Sequence, residues 1–88
     1  MGWRLLVAPA AERTLARLPE RVAAAIVEFM VGPLIEEPRR VGKPLQRELE
    51  GYWSARRGAY RLVYRIDDEA NTVRVVRVDH RADVYRSG

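Results

Sequence analysis

Arg61, Arg81, Tyr85 and His80 are the side chains of this 88-residue sequence whose types and places best suit chemistry. Arg61 lies in an alternating segment, 60–66, where Tyr60, Leu62, Tyr64 and Ile66 share one face and Arg61, Val63 and Arg65 the other. Arg81 and Tyr85 follow the last strand-like segment. Strands of one sheet lie about 4.8 Å apart, so residues of neighbouring strands can converge on one phosphate. Two guanidinium forks there would hold a phosphodiester and stabilise the extra negative charge of a pentacoordinate transition state. The Tyr85 hydroxyl or the His80 imidazole would exchange protons. The same residues admit a plainer reading, in which Arg61 and Arg81 pair with Asp79 or Asp83 and Tyr85 only packs.

Other chemistries find little support. One histidine and no cysteine make a zinc site implausible. The densest acidic run, Asp67-Asp68-Glu69, falls in a turn that the flanking strands require anyway, so no metal or other cofactor is expected. Ser54 and Ser87 have only His80 to share, and the glycines match no phosphate-binding loop. The net charge is +4, and fifteen of the sixteen basic residues are arginine, Lys43 being the exception. A planar fork that grips phosphate in two places suits a nucleic-acid partner. A GC-rich genome would supply the same arginine codons, so the placement of the charges has to decide.

The elements that position these residues follow from periodicity and breakers. Residues 3–7 are short and apolar, bounded by Ala8-Pro9, and predict a first strand. Ala11, Leu15 and Leu18 recur at helical spacing over 10–18. Pro19 opens a second helix, with Glu20 in its first turn and Val22, Ile26, Phe29 and Met30 as its buried stripe, until Gly32-Pro33 ends it. Residues 34–49 read as an irregular, basic connection broken by Pro38, Gly42 and Pro44, carrying Arg39, Arg40, Lys43 and Arg47. A hairpin over 51–66 turns at Arg57-Gly58, a polar turn fills 67–71, and 72–78 is β-branched. The order β-α-α-β-β-β predicts an α+β fold: a small antiparallel sheet covered on one face by a helical hairpin. A chain of this size is expected to be one domain, 1–88, burying roughly 60% of the surface it exposes when unfolded. The longest apolar run, 22–27, is too short to span a bilayer, and the first residues lack the pattern of a secretory signal. A soluble cytoplasmic protein without a membrane partner is expected.

The segment L-x-G-Y-W-S-A-R-R-G-x-Y-R-L-V-Y-R-I-D-D from Leu49, followed by V-x-V-x-R-V-D-H-R-A-D-V-Y, resembles the RelE/ParE superfamily of bacterial toxins, and its RelE branch in particular. Gly42-Lys43-Pro44-Leu45 and the β-α-α opening fit as well, so the resemblance covers nearly the whole chain. It implies a toxin of a type II toxin–antitoxin system that enters the ribosomal A site and cleaves mRNA there without a metal. The RNA's own 2′-hydroxyl attacks the adjacent phosphate, and a cognate antitoxin wraps and silences the toxin in a hetero-oligomeric complex. The family's two catalytic arginines and C-terminal tyrosine carry over to Arg61, Arg81 and Tyr85. The prototype's two lysines, in the region 52–55, have no counterpart; Arg56, Arg57 or Lys43 supplies that charge, or His80 serves as the base. Lys43, Arg56, Arg57 and Arg65 are the expected RNA contacts. The resemblance also admits the ParE type, which poisons DNA gyrase with the same fold and cleaves no RNA.

Overall fold

Two β-rich segments separated by a polar turn dominate the second half of the chain. In the computed structural model, which describes residues 2–80, they are the longest strands. These are β4, Tyr60–Asp67, and β5, Thr72–His80. Ahead of them come β1 (Arg4–Val7), α1 (Pro9–Arg17), α2 (Glu20–Phe29), a two-residue β2 (Lys43–Pro44) and β3 (Trp53–Arg57). The strands form one sheet in the order β1-β5-β4-β3-β2.

The α+β class stands, with two departures in the sheet. It is mixed rather than wholly antiparallel, because β1 runs parallel to β5, setting Leu5 beside Val73 and Val7 beside Val75. It also has a fifth strand where an irregular connection was expected, since Lys43 pairs with Ser54 and Pro44 with Trp53. Pro44 is tolerated there because β2 is an edge strand, where no ladder needs its missing N–H.

The sequence Thr72-Val73-Arg74-Val75-Val76-Arg77-Val78 does not alternate strictly, and the fold resolves this with a bulge. Val63 pairs with Arg77 but Tyr64 with Val75, so Val76 is the extra residue on β5. Slipping a strand by one residue exchanges its faces. The bulge therefore sends Val73, Val75 and Val78 all to the helix side, and Arg74, Arg77 and Asp79 to the other.

Both helices start on proline signals. Pro9 sits in the first turn of α1, and Glu12 and Arg17 complement its dipole at opposite ends. Pro19 holds Leu18 extended and stands at the N-cap of α2, one position earlier than expected. The second helix does not stop at Gly32-Pro33. Pro33 lacks the N–H an α-turn needs, so the chain widens into a π-turn over Met30–Leu34 that keeps Met30 and Leu34 buried. Ala11, Ile26, Met30 and Leu34 pack with Ala55, Leu62, Tyr64, Val73, Val75 and Val78 as one core. No helix among the described residues is long and apolar enough to cross a membrane.

Candidate nucleic-acid interface

Strand alternation sorts the sheet into an apolar face under the helices and a cationic face away from them. Register places Lys43 and Ser54 side by side, then Arg56 opposite Arg61, Val63 opposite Arg77, Arg65 opposite Arg74, and Arg61 opposite Asp79, all on the second face. Like charges directly opposite one another destabilise a sheet, so the Arg56–Arg61 rung is not there for stability.

At the β2 end of this face lies a groove of about 520 Å³ lined by Arg40, Val41, Gly42, Lys43, Ser54, Arg56 and Arg61. The described residues that line it include four cations and no carboxylate. Among the described residues none of the four has an ion-pair partner; the pairs formed are Arg39–Asp68 at 2.7 Å and Arg77–Asp79 at 2.9 Å. The sequence left open whether Arg61 pairs with Asp79. Asp79 stands opposite Arg61 in register, but its carboxylate meets Arg77.

The loop forming one wall of the groove is held from beneath. Tyr64 is fully buried, and its hydroxyl donates a 2.6 Å hydrogen bond to the Pro38 carbonyl. Burial also pushes its pKa up to about 12. Gly42 passes so close that a β-carbon there would run into the Tyr64 hydroxyl and lie 2.7 Å from the Ser54 carbonyl oxygen. Only glycine leaves room for that approach. Outside the groove, Arg39 ties the same loop to the β4–β5 turn through Asp68 and lies 5.7 Å over the Trp3 ring.

The structure gathers Arg61, Arg56 and Lys43 of the expected site and leaves others elsewhere. Arg57 pairs with Tyr60, which puts it on the helix side. There it lines an apolar hollow of about 320 Å³ with Val22, Ala25, Ile26 and Tyr60. Arg65 keeps to the cationic face but sits at its far end, 5.1 Å over the Tyr52 ring. His80 pairs with Tyr60, its ring edge-on at 5.1 Å and 87°. The bulge in β5 is the reason: it turns His80 to the helix side and Asp79 toward Arg61, so the fold does not bring His80 to Arg61. Arg81 and Tyr85 lie outside the described residues. Arg40, Ser54 and Arg77 join the face without having been expected. Arg40 carried one signal, its place two residues before the Gly42-Lys43 pair that anchors the loop.

Residues 5–85 match the family model of the ParE toxin of type II toxin–antitoxin systems. The chain is 66% identical to the toxin RelG of Mycobacterium tuberculosis over 76 residues, covering 86% of this chain and 87% of that protein. To the toxin RelE of the same organism it is 49% identical over 84 residues, covering 96% and 87%. The chain belongs to the RelE/ParE toxin family. Its fold matches a chain of the toxin–antitoxin complex RelBE2 from M. tuberculosis with a TM-score of 0.88, at 57% identity over 92% of this chain and all of the other. The isolated RelE toxin of E. coli matches with a TM-score of 0.74 over 97% of this chain and 93% of that one. At 24% identity that likeness speaks for the fold alone. Within the family the chain is a toxin of RelE kinship, and its cationic groove lies on the sheet face that the helices leave bare.

Proposed function

We propose that this toxin is a ribosome-dependent mRNA endoribonuclease. The observation that carries the reading is the groove in which Arg56 and Arg61 face each other beside Arg40 and Lys43, with no carboxylate among the described residues that line it. An isolated phosphodiester is the ligand such a groove fits, since each fork offers paired donors and the rung gains a shared counter-ion. In the reaction the 2′-hydroxyl of the RNA attacks the neighbouring phosphorus. The bond from phosphorus to the 5′ oxygen then breaks, leaving a 2′,3′-cyclic phosphate and a 5′-hydroxyl. Arg61 and Arg81 stabilise the charge of the intermediate phosphorane, and Tyr85 exchanges a proton with the reacting oxygens. Arginine stays protonated throughout, so the guanidinium groups act by charge and geometry. The ribosome positions the mRNA, a contribution worth about 7–11 kcal/mol of barrier in well-oriented systems. In the cytoplasm a cognate antitoxin covers this face and holds the toxin silent in a hetero-oligomer. This is supported by relatives solved as toxin–antitoxin complexes.

A second reading is favoured by the family model, whose description names ParE: inhibition of DNA gyrase without RNA cleavage. Pulse labelling after induction separates the two. The nuclease reading expects protein synthesis to stop first, with Arg61→Ala relieving the arrest. Early loss of DNA synthesis, with Arg61→Ala still toxic, would put the gyrase reading in its place.

A further inference from the structure

We propose that the loop from Pro38 to Lys43 is a phosphate-binding arm of the groove, with Arg40 contacting a phosphate flanking the one at Arg61 and Tyr64 as the residue that positions it. The inference rests on the nuclease reading for its substrate class, a single-stranded RNA backbone. Three observations carry it. Arg40 and Lys43 line the same groove as Arg56 and Arg61, although the four come from a loop and three strands. Arg40 is exposed and has no carboxylate partner among the described residues, whereas its neighbour Arg39 is committed to Asp68 at 2.7 Å. Adjacent arginines thus divide the work, one tethering the loop and one left for a ligand. Beneath them, the Tyr64 hydroxyl reaches across from the central strand to the buried Pro38, 2.6 Å away, at the start of the arm. The close passage of Gly42 over the same hydroxyl fixes the arm's other end.

Tyr64 touches no substrate in this scheme. Its ring faces the core, and its effect on RNA passes through Pro38 to Arg40, whereas Lys43 is held by its own pairing with Ser54 at the sheet edge. A tyrosine in a sheet core needs a hydrogen-bond partner, and here the partner is the segment carrying Arg40. Phenylalanine would fill the same core space and release the loop.

Binding of a single-stranded oligoribonucleotide, with 2′-deoxyribose at the cleavable position, tests this between 50 and 200 mM salt for the wild type, Arg40→Gln, Tyr64→Phe and the double variant. Each phosphate contact on a single strand contributes about 0.7 to the slope of log affinity against log salt. Arg40→Gln should lower that slope by about 0.7, so that its affinity falls about 2.6-fold less than wild type across the range. Tyr64→Phe, assayed where it is fully folded, should lower the slope in the same direction, with Arg40→Lys keeping it. The double variant should match Arg40→Gln, because Tyr64 acts through the arm. On programmed ribosomes both single variants should raise KM and spare kcat. An unchanged slope in Arg40→Gln, or a Tyr64→Phe effect that adds in full to it, would overturn the arm. Those results leave the nuclease reading standing if the wild type cleaves on ribosomes; a wild type that does not cleave there refutes that reading by itself.

Discussion

Removing one oxygen from Tyr64 should weaken the fold by an amount that depends on pH. In Tyr64→Phe the Pro38 carbonyl loses its 2.6 Å partner in a buried place. An orphaned buried acceptor costs about 1–3 kcal/mol. For a domain of this size each kcal/mol lowers Tm by about 4–8 °C. The hydroxyl also links stability to alkaline pH. In the unfolded chain it ionises around its ordinary value of 10.0, but in the fold burial holds the proton to about 12. Above pH 10 the unfolded chain thus releases a proton that the native one keeps. The stability Tyr64 contributes is complete below pH 10 and drains away as pH rises toward 12. Two pKa units correspond to about 2.7 kcal/mol in full, of which about 1.4 kcal/mol is lost by pH 11. Urea unfolding of wild type and Tyr64→Phe at pH 8 and pH 11 measures this directly. The variant should be weaker at pH 8, and the gap should shrink by about 1.4 kcal/mol at pH 11. A gap that stays constant would refute the buried, hydrogen-bonded tyrosine.

Gly42→Ala should destabilise by about 1–3 kcal/mol, as overpacking does. Combining it with Tyr64→Phe should recover part of that loss in urea unfolding, since one of the two clashing oxygens is gone. Asp79→Asn removes the carboxylate opposite Arg61 and frees Arg77. Fluorescence anisotropy should show oligoribonucleotide binding tightened about two- to fivefold, the range for an exposed charge interaction. His80→Gln should leave the pH–rate profile of cleavage on ribosomes unchanged, because the imidazole lies with Tyr60 on the helix side; loss of one limb would make it the base after all.

Most of the fold and half of the groove were legible in short-range patterns. Tyr60, Leu62, Tyr64 and Ile66 alternate with Arg61 and Arg65, so the faces of β4 could be read at once. A turn at Arg57-Gly58 would leave Arg57 outside the strands, but the turn is Gly58-Ala59, and the register it sets puts Arg57 opposite Tyr60 on the helix side, away from the expected RNA contacts. Other features are written at longer range. The direction of β1 has no turn to announce it, since its partner β5 lies at the other end of the chain. Lys43–Pro44 is too short for any periodicity to show. The doubled valine at Val75-Val76 is the one visible trace of the bulge that reverses the end of β5 and moves His80 away from Arg61. Arg40 read as a solvated loop residue because its place depends on a contact between Tyr64 and Pro38, twenty-six positions apart.

Mapping cleavage sites on an mRNA with and without ribosomes, for wild type and Arg61→Ala, tests the central claim most directly. The wild type should cut only when ribosomes are present. Arg61→Ala should cut some 10²–10³-fold more slowly, as when a transition-state contact of about 3–4 kcal/mol is lost. Its Tm should be nearly unchanged, since Arg61 is only half-buried and stands on the cationic face. Efficient cutting of naked RNA, or full-rate cutting by Arg61→Ala on ribosomes, would contradict the account.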